Sequence, residues 1–146
     1  MVHINHDVYN SVIYYNLFGG ILKHTYCEVY IKIILPAIRI LIAKELLEKY
    51  GYTQLQVSRL LGVSQPFLNY YISGRRRPKH IVVLEKNPLI RDIVKKEVNC
   101  LIERRCTNIV PCDVCTELRK KGIESILNLI GINPKDIIYP ECVFPG

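Results

Sequence analysis

The chain has 146 residues, enough for one domain with a proper core or a small domain with appendages, and too few for two full-sized domains. Hydrophobic residues make up 49% and charged residues 23%, far from the composition of disordered chains. Lys and Arg number 20 against 13 acidic residues, a net charge of +7 that suits a polyanionic partner, either nucleic acid or an anionic membrane surface.

Residues 1–26 are rich in Tyr and Asn, are broken by Gly19 and Gly20, and carry only a weak helical pattern in Val8, Val12, Tyr15 and Leu17; they read as an N-terminal extension. His3, His6 and Asp7 stand where a signal peptide would carry Lys or Arg, and no small-residue cleavage site follows an apolar run. The expected location is therefore the cytoplasm. The most apolar stretch, residues 27–47, is interrupted by Glu28, Lys32, Arg39, Lys44 and Glu45, so no helix there is expected to span a bilayer.

Pro36 fits the first turn of a helix, and Ile38, Ile42 and Leu46 follow at four-residue steps until Gly51, which predicts a helix over residues 36–50. Thr53 precedes a second amphipathic run, residues 55–61, ending at Gly62; Ser64 opens a third that ends at Ser73 and Gly74. A basic loop over residues 75–80 and a short apolar piece over 81–84 lead to Pro88. From there Ile90, Val94, Val98 and Leu101 are spaced for one face of a fourth helix that stops before Cys106. Pro111 and the cysteines make residues 106–115 read as irregular. Ile123, Ile126, Leu127 and Ile130 mark a final short helix closed by Gly131, and the Pro-rich remainder reads as a loop or tail. The organisation expected is an extension over 1–26, a helical domain over 27–86, a linking or dimerisation helix over 87–105 and a cysteine-containing segment with tail over 106–146. The fold class is all-α.

Residues 54–73 fit a helix-turn-helix without a gap. Ser58 is small where the first helix must approach the second, and Gly62 can take the positive φ of a tight turn. Val57, Leu61, Val63, Leu68 and Tyr71 fall at the positions that must be buried between the helices, while Ser64 can cap the second helix and Pro66 lies in its first turn. That register turns Ser64, Gln65, Pro66, Asn69, Tyr70 and Ser73 outward, on the helix that enters the major groove in this motif. The amides of Gln65 and Asn69 can donate and accept at once, matching the N6 and N7 edge of adenine, and Pro66 offers an apolar contact to a thymine methyl. Gln54 opens the first helix and is placed for a phosphate. Arg75, Arg76, Arg77 and Lys79 follow directly, where they can neutralise phosphates and confer salt dependence without sequence information. Two short helices joined by Gly also occur in domains that bind no DNA, but a solvated face has no need to gather cations beside the second helix.

At this level the chain resembles predicted archaeal transcriptional regulators with an Xre/Cro-like, phage-repressor type helix-turn-helix. The resemblance rests on Cys27-Glu28, on Leu35-Pro36-Ala37-Ile38-Arg39, on Ala43-Lys44-Glu45-Leu46, on the motif above and on Ser73-Gly74-Arg75-Arg76. Members of that group also tend to carry a Cys-x-x-Cys after a linking helix, as in Cys112-Asp113-Val114-Cys115 here. The resemblance spans roughly residues 27–122, and it implies a helical, usually dimeric protein that binds double-stranded DNA and acts on transcription. The long N-terminal extension and residues 123–130, where a further cysteine is expected, depart from it.

Six cysteines in a reducing compartment read more naturally as metal ligands than as a disulfide framework. Cys112 and Cys115 have the spacing that lets two thiolates reach one metal from a tight turn, and Cys106 lies six residues upstream. The resemblance pairs Cys27 with them as the fourth ligand; Cys142, in the tail, is the alternative, and Cys100 reads as a small buried apolar residue. The irregular spacing favours an iron–sulfur cluster sensing redox state or iron over a structural zinc. A redox-active dithiol lacks the βαβ surroundings of a thioredoxin-like site. No catalytic constellation appears around His3, His6, His24 or His80, so no enzyme is expected. The reading is a homodimeric, sequence-specific regulator, with a seam along residues 90–101, set against a helical interaction protein that binds no DNA or a membrane-surface protein using its basic loop.

Overall fold

The computed structural model describes residues 24–74 and 78–141. The N-terminal extension through residue 23, with His3 and His6, the run of Arg75, Arg76 and Arg77, and Cys142 lie outside the described residues. The folded body begins earlier than the sequence division predicts. Strand β1 (His24–Thr25) leads into α1 (Tyr26–Val29), whose start is fixed by a capping box. The Thr25 hydroxyl accepts from the Glu28 N–H at 3.4 Å, and the Glu28 carboxylate accepts from the Thr25 N–H at 3.0 Å, which lowers the Glu28 pKa. Tyr26 is fully buried, so it belongs to the core and not to an extension.

Helix α1 does not stop before Pro36. It passes through a π turn, Tyr30–Ile34, into α2 (Leu35–Lys49). A proline inside a regular helix would collide with the carbonyl four residues back, and the wider π turn immediately before it absorbs that misfit. Helix α2 is apolar on nearly every side: Leu35, Ala37, Ile38, Ile40, Leu41, Ile42, Ala43 and Leu46 are all buried, as expected of a helix wrapped by others. Around it pack α3 (Gln54–Leu61), α4 (Gln65–Ile72), α5 (Lys79–Lys86) and α6 (Pro88–Ile102). The apolar piece expected over 81–84 is part of α5. Its run of β-branched residues gives little helical signal, but Ile81 and Leu84 sit one turn apart and both face the core. Lys44 of α2 and Glu85 of α5 pair at 2.6 Å.

The dimer seam anticipated along α6 is corrected by the packing. Ile90, Ile93, Val94, Val98 and Leu101 are buried within their own chain, where α6 lies against α2 and α5. That face is already used.

The irregular segment anticipated over 106–115 is found over 106–110 and is corrected beyond it. Pro111 opens a regular helix, α7 (Pro111–Lys121), because a proline at the first helical position gives up only a donor that would have no partner anyway. Asp113 in its first turn and Arg119, Lys120 and Lys121 in its last complement the helix dipole. Glu117 binds Lys96 of α6 at 2.8 Å and Lys121 at 2.7 Å, and these two ammonium groups hold its carboxyl below the usual carboxylate range. A depressed pKa contributes stability that is present above the unfolded-state value and lost as pH falls through the folded one. Glu117→Gln should therefore lower the thermal midpoint at neutral pH, and the gap from the parent should close as pH falls below the unfolded-state carboxylate value and through the lowered folded one.

Gly122 turns the chain into α8 (Ile123–Leu129), the short final helix expected. The supposed tail is structured as well. A 3-10 turn, Pro134–Asp136, precedes β2 (Ile137–Ile138), which pairs in parallel with β1. Tyr139 then stacks on Tyr26 with ring centroids 5.8 Å apart. The fold is all-α, and among the described residues two-residue strands join the first and last elements.

Candidate nucleic-acid interface

Each helix of the predicted pair starts and stops where its sequence provides the chemistry. Thr53 caps α3 by accepting from the Gln56 N–H at 3.2 Å, while Gln56 Oε1 accepts from the Thr53 N–H at 2.8 Å. Gln56, three residues after Thr53, is the sequence signal of such a capping box, and the reading of the sequence passed over it. Gly62 ends α3 at φ +64°. The Ser58 hydroxyl donates to the Val63 carbonyl, and the Val63 N–H donates to the Ser58 carbonyl at 3.2 Å, so Ser58 ties the turn as well as letting the helices approach. A Cβ at Gly62 would meet nothing within 4 Å, which leaves backbone strain as the whole penalty. Gly62→Ala is expected to destabilise the domain by about 1–2 kcal/mol, read as a shift of the urea midpoint.

Helix α4 is capped by Ser64, whose hydroxyl accepts from the Phe67 N–H at 3.2 Å. Val57, Leu61 and Leu68 are buried between the helices and α2, with Val63 and Tyr71 half-buried beside them. Phe67 meets Tyr71 edge-on at 4.9 Å. This fixes the roll of α4 and leaves Gln65, Pro66, Asn69 and Ser73 exposed together on its outer face. Ser64 is exposed too; one lone pair of its hydroxyl serves the cap, and its O–H is left to donate. Tyr70 is half-buried against the Tyr71 ring at 5.1 Å, which places it at the edge of that face. Gln54 opens α3 and Lys79 opens α5, both exposed. Arg59, exposed in the last turn of α3, is a further cation the sequence reading did not single out. The arrangement is a polar, uncharged face on one helix with Arg59 and Lys79 exposed on the helices before and after it, a candidate interface of a kind suited to base edges at the centre and phosphates at the rim.

The cysteines fall into two groups. Cys100 and Cys106 are joined as a disulfide with Cα atoms 5.5 Å apart, across the turn in which the Cys100 carbonyl accepts from the N–H groups of Arg105 and Cys106. Cys106 is thereby taken away from Cys112 and Cys115, and Cys100 is half-buried and bonded where a buried apolar thiol was expected. Cys27, Cys112 and Cys115 are free and share one neighbourhood. Burial pushes the Cys115 thiol up, with Cys27 and Cys112 adding to the rise. Among the described residues no three or more His, Cys, Asp or Glu are arranged to hold a metal. Of the set Cys27, Cys106, Cys112 and Cys115, the bond to Cys100 takes up Cys106, and Cys27, Cys112 and Cys115 keep free thiols.

Residues 44–83 match the helix-turn-helix family model, a span that runs from the middle of α2 to the middle of α5 and contains the whole reading face. No curated protein and no solved structure matches the chain. Fold and match together make residues 44–83 an Xre/Cro-like helix-turn-helix domain, a DNA-binding class found in transcription regulators and not a class of enzymes. No helix among the described residues is long and apolar enough to cross a membrane.

Proposed function

We propose that this chain is a sequence-specific transcription regulator that inserts α4 into the major groove of double-stranded DNA. The observation that carries the reading is the outer face of α4. Gln65, Pro66 and Asn69 stand exposed side by side on a helix whose roll is fixed by buried neighbours, and the two amides present paired donors and acceptors to a base edge. Lys79, with Arg75, Arg76 and Arg77 in the adjoining sequence, supplies the phosphate attraction that any such reader needs. The protein acts as a homodimer in this reading, because one recognition helix covers only a half-site and two copies one helical turn apart read a palindrome. Its seam lies away from the buried face of α6.

Selection of duplexes from a random pool tests this directly. Enrichment of one two-fold symmetric sequence supports it. Recovery of no consensus, with binding that vanishes in moderate salt, would move the function to a helical interaction protein. Equal affinity for anionic vesicles would move it to a membrane surface.

A further inference from the structure

The Cys-x-x-Cys pair has an asymmetry that its sequence alone does not reveal. Cys112 is exposed in the first turn of the eleven-residue helix α7, whereas Cys115, three residues on, is only 8% exposed. The turn leading into them is tightened. The Asp113 N–H donates to the Val110 carbonyl at 3.1 Å, a three-residue step, and in such a turn side chains three apart eclipse one another. The same carbonyl also accepts from the Val114 N–H at 3.3 Å, so it is shared between a three-residue and a four-residue step. Behind Cys115 stands Tyr26, fully buried, with a hydroxyl that has no hydrogen-bond partner of good geometry and faces the Cys115 thiol, a weak acceptor. Arg119, one turn further along α7, lies over the Tyr26 ring at 5.6 Å. An exposed thiol, a buried thiol three residues on that feels its charge, and a donor behind the buried one form the set that thiol–disulfide exchange requires.

We propose that Cys112 and Cys115 are a thiol–disulfide exchange site whose substrate is a low-molecular-weight disulfide, with Cys112 attacking and Cys115 resolving. The Cys112 thiolate attacks one sulfur of the small disulfide, forming a mixed disulfide and releasing one thiolate. Cys115 then gives up its proton, which the released thiolate takes, and attacks Cys112 Sγ. The second small thiolate leaves and is protonated from solvent. Two electrons pass from the chain to the small disulfide, one intramolecular S–S bond forms and two small thiols are produced. Tyr26 is placed to hydrogen-bond the Cys115 sulfur while it carries charge. The product would clamp the first turn of α7, which is joined to α1 and the π turn by the hydrogen bond from Tyr30 Oη to the Pro111 carbonyl at 2.7 Å. Through them the oxidation state reaches α2, the helix on which the reading pair is packed.

The test uses the full chain, purified without oxygen and treated with oxidised glutathione, with peptides mapped by mass spectrometry. The parent is expected to form a Cys112–Cys115 disulfide with no lasting glutathione adduct. Cys115→Ser, and Cys115→Ala as a second variant in case the first fails to fold, should trap glutathione on Cys112. Cys112→Ser should slow thiol loss at this pair by about ten-fold or more, because the remaining thiol is buried. Adduct formation first on Cys27, or an undiminished rate in Cys112→Ser, would overturn the assignment. Stoichiometric iron or zinc that blocks the reaction until chelated would overturn it in favour of a ligand role for these thiols.

Discussion

A protein carrying Gln65→Ala and Asn69→Ala together is expected to bind its operator no better than unrelated duplex, while its salt-sensitive attachment to DNA in general survives. Each bidentate contact between an amide and adenine is worth about 1–3 kcal/mol of discrimination, so the pair accounts for about 2–6 kcal/mol, thirty-fold or more, of sequence preference. Both side chains are exposed and neither takes part in capping α4, so the fold should be untouched. The cations at the rim remain, and the slope of binding against salt should not change. Fluorescence anisotropy on the selected operator and on scrambled duplex measures both quantities. A double variant that keeps its preference would show that α4 does not read bases.

The second large effect concerns the spine. Ile42 is fully buried at the centre of α2, the helix on which α3, α4, α5 and α6 all rest. Ile42→Ala removes three carbons from a site that neighbours on every side hold open, and such truncations remove about 2–5 kcal/mol. Set against a typical total of about 5–15 kcal/mol, this is a large share. Equilibrium unfolding in urea should show a lowered midpoint with an unchanged slope. Because α3 and α4 take their angle from α2, DNA affinity should fall with the folded fraction and not independently of it.

The helix-turn-helix was legible because every device that builds it is local. Thr53, Gly62, Ser64 and Pro66 each act within four residues of themselves, and the apolar spacing of Val57, Leu61 and Leu68 names the buried side without knowledge of any partner. Elements set by distant contacts were misread. Helix α5 carries a β-branched run whose helical state is imposed by packing on α2 and α8. The strands at either end are too short to signal themselves and exist only because they meet. Pro111 was taken for a breaker when it is a starter, since the same residue does either according to whether a helix precedes it. Of the cysteine site, spacing grouped Cys106, Cys112 and Cys115 and the resemblance added Cys27, but the bond that takes Cys106 to Cys100 depends on how the chain turns at the end of α6. Exposure of one thiol and burial of its neighbour likewise depend on what α7 lies against.

The pairing of β1 with β2 joins the first and last described elements of the chain, and this sets an order of events during synthesis. The helices that form the reading pair make contacts between near neighbours and can assemble as soon as they leave the ribosome. Thr25 and Tyr26 wait for Ile138 and Tyr139, which follow the whole helical body in the chain. Until then a buried tyrosine and its surrounding apolar side chains are open to solvent, and the nascent protein passes through a stage with a finished DNA-reading unit and an unclosed flank.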